Sequence, residues 1–326
     1  MISSMRRFLL LLLFLILPAA GGDKEKFPAF FPIRQNLRYG AIDSLGNIVL
    51  KPQLDGLDDS YEGMAMARIS NQWGYVDYLK GEVLKTKFES VGRFSEGKAR
   101  VLYQGKWGYI NRDGKFVIKP LFEFAGDFSE GKALVGVGGK IGYIDSTGRL
   151  IIKPQFTSGF NFSEGRAGVL VENKLGYIDS TGKIIIKPQF DFIWDFREGL
   201  ARVAINKKWG YINHDGRFVI KPRFEEAFDF SESLAAVRMG GKIGYIDKKG
   251  KFIIKPKFIA AGNFSYGLAP ALADSLWGYI DKTGEFVIPP RFEIAYPFSH
   301  GVGKVQLSGK IGYIDRSGKF IWEPSE

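Results

Sequence analysis

The stretch KWGYIN, residues 106–111, is one copy of a pattern that recurs along the whole chain of 326 residues. Nine glycines at its centre are spaced by 34 residues without drift: Gly40, Gly74, Gly108, Gly142, Gly176, Gly210, Gly244, Gly278 and Gly312. A fixed period of this size is typical of repeat architectures, in which each unit buries its apolar surface against its neighbours. The pattern therefore predicts a modular scaffold, but it does not by itself indicate a chemistry.

A single copy, residues 99–131, contains three segments rich in β-forming residues, at 99–103, 107–111 and 116–119. Asp113-Gly114 predicts a tight hairpin turn, because glycine readily takes the positive φ that such a turn needs. Pro120 ends the third segment, since proline cannot donate a hydrogen bond to a sheet. A helical repeat is excluded, because the glycines and the proline of each copy would cost about 1 and 3 kcal/mol apiece in a helix. We predict a three-stranded meander in each copy.

The turn at residues 113–114 also predicts a register for the hairpin around it. It places Tyr109 opposite Ile118, and Trp107 opposite Pro120, all on one aromatic face. The other face carries the repeated glycine, which we expect to let a neighbouring repeat approach closely. Both faces contain apolar residues, so we expect sheets stacked face to face.

The fold class that follows is all-β, with about nine three-stranded meanders of 34 residues. No linker or change of period interrupts the spacing, so residues 37–326 are predicted to form one continuous repeat domain after an N-terminal cap segment, 22–36. Propellers commonly have four-stranded blades, and a three-stranded unit has one strand fewer than such a blade. We therefore predict an open, superhelical array, with a closed β-propeller as the alternative.

The N-terminus has the pattern of a secretory signal peptide, predicted to span residues 1–21. Arg6 and Arg7 precede an apolar run from Phe8 to Leu17, and small residues follow it. The run is too short to span a bilayer comfortably, and we expect no transmembrane segment in the mature chain. The chain has no cysteine, so it has neither a disulfide nor a thiolate metal site. We expect an exported protein that is periplasmic, surface-associated or secreted.

Aromatic residues define the repeat, and two interpretations of them are open. Stacked rings could form an exposed ladder for sugars, or they could form a continuous core. Exchange of Trp for Ile at the position before the glycine favours the core, since a sugar platform needs a flat ring. The repeat-defining residues with Trp are Trp73, Gly74, Tyr75, Trp107, Gly108, Tyr109, Trp209, Gly210, Tyr211, Trp277, Gly278 and Tyr279.

Polar residues at repeated positions are predicted to shape turns rather than to catalyse a reaction. An Asp or Asn always lies three residues after the glycine, as at Asn111, and such side chains cap turns by accepting from backbone amides. The Phe-Ser-Glu-Gly sequences also suggest turns. His214 and His300 each occur in a single copy and cannot form a repeated triad or metal site. We predict no catalytic residue, no metal and no cofactor.

Lysine recurs at one position of the third strand, and the chain carries a formal net charge of +11. If the units stack regularly, these lysines align as a stripe that could bind an anionic partner. Alternatively, acids on adjacent copies could neutralise them. The candidate residues are Lys119, Lys153, Lys187, Lys221 and Lys255, with Lys51 and Lys85 before them.

The KWGYIN stretch, the turn at residues 113–114 and the VIKP sequence at 117–120 together resemble the bacterial WG-repeat family, also called KWG repeats. The resemblance covers roughly residues 37–326. It implies an extracytoplasmic or surface-associated β-repeat protein and carries over no catalytic residue. Departures from the pattern lie in the terminal copies, as at Ala41 and Thr86.

Three functions remain open at this stage. The first is a non-enzymatic scaffold of the cell envelope or surface, which engages a protein or an anionic envelope polymer and not a nucleic acid. The second is a glycan- or cell-wall-binding module, which would expose its Tyr and Trp rings. The third is a hydrolase, which would need an acidic or histidine-bearing pocket that breaks the repeat symmetry.

Overall fold

The structure, a computed structural model, describes residues 27–325, so the predicted signal peptide lies outside the described residues. The described residues form 35 strands in nine antiparallel sheets and no helix. None of them therefore belongs to a helix that could cross a membrane. The prediction of an all-β repeat protein is confirmed.

Each sheet corresponds to one repeat and is called a blade here. Blades 1 to 3 comprise β1 (Phe31–Gln35), β2 (Arg38–Ile42), β3 (Ile48–Leu54); β4 (Gly56–Leu57), β5 (Met64–Ile69), β6 (Gln72–Asp77), β7 (Glu82–Lys85); β8 (Ser90–Ser95), β9 (Lys98–Tyr103), β10 (Lys106–Ile110) and β11 (Phe116–Phe122). Blades 4 to 6 comprise β12 (Phe124–Ala125), β13 (Lys132–Val137), β14 (Lys140–Asp145), β15 (Leu150–Phe156); β16 (Ser158–Ser163), β17 (Arg166–Val171), β18 (Lys174–Ile178), β19 (Ile184–Phe190); β20 (Phe192–Ile193), β21 (Ala201–Ile205), β22 (Lys208–Ile212) and β23 (Phe218–Phe224). Blades 7 to 9 comprise β24 (Glu226–Ala227), β25 (Ala235–Met239), β26 (Lys242–Ile246), β27 (Phe252–Phe258); β28 (Ala260–Ala261), β29 (Ala269–Ala273), β30 (Leu276–Ile280), β31 (Phe286–Phe292); β32 (Ile294–Ala295), β33 (Gly303–Leu307), β34 (Lys310–Ile314) and β35 (Phe320–Ser325).

The prediction of three strands per repeat is wrong, because eight of the nine blades have four. The additional strand comes first in each blade and is often only two residues long, as in β12. A strand of two residues shows no alternation of apolar and polar positions, so the sequence pattern gave no sign of it. With four strands per unit, the main objection to a propeller disappears.

Within a blade, the strands run in order from the centre of the molecule to its rim. Residues beside neighbouring first strands touch one another, since Arg93 Nε lies 3.1 Å from Asp127 Oδ2, one repeat further along. Fourth strands instead expose alternate side chains, such as Val117 and Lys119. First strands are therefore inner strands, and fourth strands are outer strands.

The hairpin between the third and fourth strands contains a bulge. Tyr109 pairs with Ile118, as predicted, but Trp107 pairs with Phe122 rather than with Pro120. The outer strand therefore has two extra residues opposite the repeated glycine, whose Cβ, if it had one, would lie 2.7 Å from both Ile118 O and Pro120 N. The expectation that this glycine makes room for a neighbouring repeat is wrong: it makes room for its own outer strand.

The hydrophobic core lies between the blades. Tyr211 of blade 6 shares a cluster with Phe230 and Val237 of blade 7, and the Tyr211 and Phe230 ring centroids lie 4.9 Å apart. The same edge-on contact between a third-strand Tyr and the next blade's Phe recurs around the molecule. Both faces of the sheets are covered in this way, as the sequence predicted.

Blade 9 packs against blade 1, so the nine blades close into a ring. Phe31 and Ile33 of β1 share a core cluster with Val302 and Tyr313 of blade 9. The Tyr313 hydroxyl donates a 2.5 Å hydrogen bond to the Pro32 carbonyl. The prediction of an open superhelical array is therefore wrong, and the chain forms the closed β-propeller that was its alternative.

Blade 1 is the exception with three strands, and it lacks an inner strand within the described residues. The chain before β1 runs over blade 2, where the Phe30 ring stacks on Tyr78 at 4.2 Å. At the place where blade 1 lacks its inner strand, blade 9 contacts blade 2 directly: Lys304 Nζ lies 3.7 Å from Asp59 Oδ1. Of the predicted cap segment, residues 31–35 belong to the first blade as β1.

Candidate functional site

The tyrosine that follows the repeated glycine in eight of the nine copies is buried and joins two blades. All eight tyrosines are at most 1% exposed, and burial raises the pKa of each phenol. Tyr211 Oη donates a 2.7 Å hydrogen bond to the Phe228 carbonyl of the next blade. Equivalent bonds are made by Tyr75, Tyr109, Tyr143, Tyr177, Tyr245 and Tyr279. These tyrosines therefore belong to the core and connect neighbouring blades, and they do not form an exposed aromatic ladder.

The tryptophans of the triplets are not exposed either. Trp277 is 6% exposed, and Trp73, Trp107 and Trp209 are half-buried. Arginine guanidinium groups lie over three of these indoles, at 5.1 Å for Arg68 on Trp73, 5.5 Å for Arg100 on Trp107 and 5.8 Å for Arg202 on Trp209. Such cation–π contacts stabilise the arginines in place.

Three basic residues on the second strands were not singled out from the sequence. Arg100, Arg202 and Lys304 lie at one repeat position, in every third blade, and each reaches an Asp beside a later inner strand. Arg100 Nε lies 3.1 Å from Asp127 Oδ1, and Arg202 Nε lies 2.7 Å from Asp229 Oδ1. A spacing of 102 residues, three times the period, was the signal available in the sequence.

Asp195, which follows the inner strand β20, has a perturbed carboxyl group. Burial, helped by the neighbouring charge of Asp229, raises the pKa of its carboxyl from an ordinary value of 3.8 to about 6, against the opposing influence of Arg197 and Arg202. Asp229 itself is bound to Arg202 of blade 6, whose guanidinium also lies 4.2 Å from the Trp194 ring. Asp195 and Asp229 hold the same repeat position in neighbouring blades, where blades 2 and 4 also have an aspartate, Asp59 and Asp127.

The polar turn residues lie at one end of the ring and cap or connect turns. Asp145 accepts hydrogen bonds from the Thr147 hydroxyl at 2.6 Å and from the amides of Thr147 and Arg149, and these bonds lower its pKa. The Ser129 hydroxyl donates to the Phe162 carbonyl of the next blade at 2.7 Å. The predicted turn role is therefore observed, with a connection between blades that the sequence did not reveal.

The two histidines lie in different blades. The His214 ring stacks on Phe196 at 4.4 Å, and its Nε2 lies 3.2 Å from Glu164 Oε2. His300 Nδ1 lies 3.0 Å from the Ser299 hydroxyl. Across residues 27–325, no three His, Asp or Glu side chains are grouped so that they could hold a metal ion.

The predicted lysine stripe lies on the outer strands, at the rim of the ring. Its members are exposed, and none of them is in a salt bridge within the described part of the chain. They are Lys51, Lys85, Lys119, Lys153, Lys187, Lys221 and Lys255. The alternative that neighbouring acids neutralise them is not what the geometry shows.

Exposed aromatic rings occur elsewhere, as phenylalanines at the start of inner strands. Phe192 is 58% exposed, and its ring stacks on Trp209 with centroids 6.2 Å apart and planes at 27°. Phe124 occupies the same repeat position in blade 4 and is 45% exposed.

Nine sheets in a closed ring, joined by a buried tyrosine at eight of the nine junctions, define a β-propeller with nine blades. The family model described as WG containing repeat matches eight consecutive segments: residues 39–73, 73–107, 107–140, 141–174, 176–209, 209–242, 243–276 and 277–310. The chain belongs to this family, as the resemblance implied.

Among three of the solved structures that align with this chain, one has a TM-score above 0.5, and that match supports the fold alone. A crystal structure of the eukaryotic initiation factor aligns with a TM-score of 0.65 and 12% identity, over 91% of this chain and 95% of that chain. Dihydro-heme d1 dehydrogenase NirN in complex with DHE aligns with a TM-score of 0.47 and 12% identity, over 92% and 73%. Hsv2 of Kluyvelomyces marxianus gives 0.45 and 7%, over 81% and 94%. No curated protein sequence matched this chain.

Proposed function

We propose that this protein is a non-enzymatic binding scaffold, exported to the cell envelope or surface, that engages a protein or polymer partner through its repeated surfaces. The observation that carries the proposal is the rim, where seven consecutive blades present an exposed lysine without a carboxylate partner. A rigid ring fixes the spacing of such groups, and fixed spacing favours a partner with repeated anionic groups.

Export is part of the proposal and rests on the N-terminal pattern of Arg6, Arg7 and the apolar run that follows. It is tested by expressing the full chain in a bacterium and fractionating the cells. We expect a shortened chain outside the cytoplasm. A full-length chain that stays in the cytoplasm would overturn this part.

Binding is tested by sedimenting purified mature chain, residues 22–326, with isolated cell envelopes at increasing salt. We expect retention at low salt that falls steeply as salt rises, because surface charges are screened within about 10 Å at 0.1 M. No retention at any salt concentration would contradict the proposal.

Glycan binding is a second candidate function, and the stacked pair of Phe192 and Trp209 favours it. An exposed flat ring supported by a second ring is the kind of platform on which sugars stack. The comparison is between wild type and Phe192→Ala in binding to a neutral cell-wall polysaccharide. Equal binding by both proteins, or binding by neither, would remove this candidate.

A further inference from the structure

Another row of cations runs beside the lysine stripe; it is called the first row here because it comes first along each blade, and the stripe is the second row. Residues Lys115, Arg149, Lys183, Arg217 and Lys251 precede the outer strands of blades 3 to 7, four residues before the lysines of those blades. All five are exposed. Only Arg149 is in a salt bridge, with Asp145 at 3.5 Å. Ten cations therefore occupy the rim of five consecutive blades, and nine of them have no salt bridge.

The two rows coincide only in this part of the ring. Blades 1 and 2 have Asn47 and Gly81 where the first row would be, and blade 8 has Glu285 and Pro289 in the two places. Blade 9 has Lys319 in the first row but Glu323 in the second row. The rim therefore has a basic arc, blades 3 to 7, with two cations in each blade, and a remainder with at most one cation in each blade.

Edge protection explains one row but not the other. Lysine and proline on an exposed outer strand prevent pairing with another sheet, and the Lys119-Pro120 pair of each arc blade fits that need. Yet blade 8 keeps Pro290 in its outer strand without either cation. The presence of both rows in five adjacent blades needs another reason.

The geometry of the arc favours a chain over a flat surface. Along a strand, residues four apart are separated by about 13 Å, so each blade offers two charges in line from one end of the rim to the other. Valine or isoleucine lies between them, as at Val117, which is 44% exposed. Five of nine blades span more than half of a convex circumference, so a flat bilayer could touch only a few of these ten cations at once. A flexible polymer could follow them all.

We propose that the basic arc of blades 3 to 7 binds a linear polyanion that runs around the rim. This inference rests on the proposed scaffold function and specifies its partner as a polymer with repeated phosphate or carboxylate groups. Contact with many cations at once makes the affinity depend on polymer length and steeply on salt, because bound counterions are released.

The test compares two variants with the same change in charge, using inorganic polyphosphate as the probe. The rim variant replaces five lysines of the arc by glutamine: Lys119, Lys153, Lys187, Lys221 and Lys255. The control variant replaces five exposed lysines of the same blades, at the start of their third strands, by glutamine: Lys106, Lys140, Lys174, Lys208 and Lys242. Both variants are first shown to keep the wild-type thermal midpoint.

We expect the rim variant to lose at least tenfold in affinity and to show a shallower salt dependence, and the control variant to lose less than threefold. Affinity should rise with polyphosphate length up to the length of the arc. Equal losses in both variants, or equal affinity for short and long chains, would overturn the inference.

Two further outcomes separate this inference from the function on which it rests. If wild type sediments with envelopes but does not bind polyphosphate or polyglutamate, the arc proposal fails and the scaffold proposal stands. If vesicles of phosphatidylglycerol bind as well as the polymer and lose binding in the rim variant, the partner is a membrane and the polymer proposal is wrong. If the wild-type protein does not sediment with envelopes at any salt concentration, the scaffold proposal itself is wrong.

Discussion

At the scale of single residues, the buried tyrosine both packs in the core and donates a hydrogen bond to the next blade. The sequence predicted only the packing. Alternation and the exchange of Trp for Ile correctly placed the aromatic columns in the core. The hydrogen bond from Tyr211 Oη to the Phe228 carbonyl could not be predicted from the sequence, because it depends on how neighbouring sheets are placed. The turn role of Asp and Asn was predictable, since it is local.

Tyr211 allows the two contributions to be separated. Tyr211→Phe keeps the ring but leaves the Phe228 carbonyl without its donor, and should lower the free energy of unfolding by roughly 1–3 kcal/mol. Tyr211→Ala should lower it by about 3 kcal/mol or more, because it also opens a cavity. Urea unfolding measures both. Identical stability of wild type and both variants would mean that the column is not core.

Asp195 should make the protein less stable as pH rises. Its folded pKa, about 6, lies above the ordinary 3.8, so the folded state holds a proton that the unfolded state has released. Stability is therefore lost between about pH 4 and pH 7. Asp195→Asn should raise the free energy of unfolding by roughly 2–3 kcal/mol at pH 7.5 and change it little at pH 4.

Asp229→Asn is the matched control for this titration. It changes the same repeat position in the next blade, but removes the partner of the largely buried Arg202. We expect it to destabilise the protein at pH 7.5 by roughly 2–3 kcal/mol. If both substitutions changed stability in the same direction at that pH, the environment assigned to Asp195 would be wrong.

At the scale of strands and hairpins, the bulge in the outer hairpin explains the repeated glycine. A Cβ at Gly210 would lie 2.5 Å from Ile220 O and 2.7 Å from Pro222 N, and backbone atoms cannot move aside cheaply. Gly210→Ala should therefore cost roughly 1–3 kcal/mol, as overpacking does.

Gly168→Ala is the control, because its Cβ would meet side-chain atoms, Cδ1 of Ile193 and a ring carbon of Phe160, rather than backbone. These can rotate away, so we expect a smaller loss in the same thermal unfolding experiment. A larger loss for Gly168→Ala than for Gly210→Ala would contradict the role assigned to the bulge.

How much of each blade could be predicted depended on element length. The two long hairpin strands were visible because turn glycines and alternation mark them, as around Asp113-Gly114. Inner strands such as β12 were invisible, because two residues carry no period and their partners lie one hairpin away. The bulge was missed for a related reason: it inserts residues without changing the period of the repeat.

At the scale of the whole molecule, the sequence predicted the number of repeats but not that they close into a ring. Closure depends on the angle between neighbouring blades, which is set by how the Tyr and Phe side chains pack. No residue of a single copy encodes it. The lysine stripe could be predicted from the period alone, whereas its arrangement as an arc on a convex rim follows only from the ring.

Closure is tested most directly by distances between equivalent positions of different blades. The chain has no cysteine, so pairs of cysteines can be introduced at exposed rim positions and spin-labelled. Lys51 and Glu323 hold the same position in blades 1 and 9, and Lys187 and Lys221 hold it in neighbouring blades 5 and 6. A closed ring predicts the same electron–electron distance for both pairs. A distance for the 51–323 pair far longer than for the 187–221 pair would show an open array and contradict the ring.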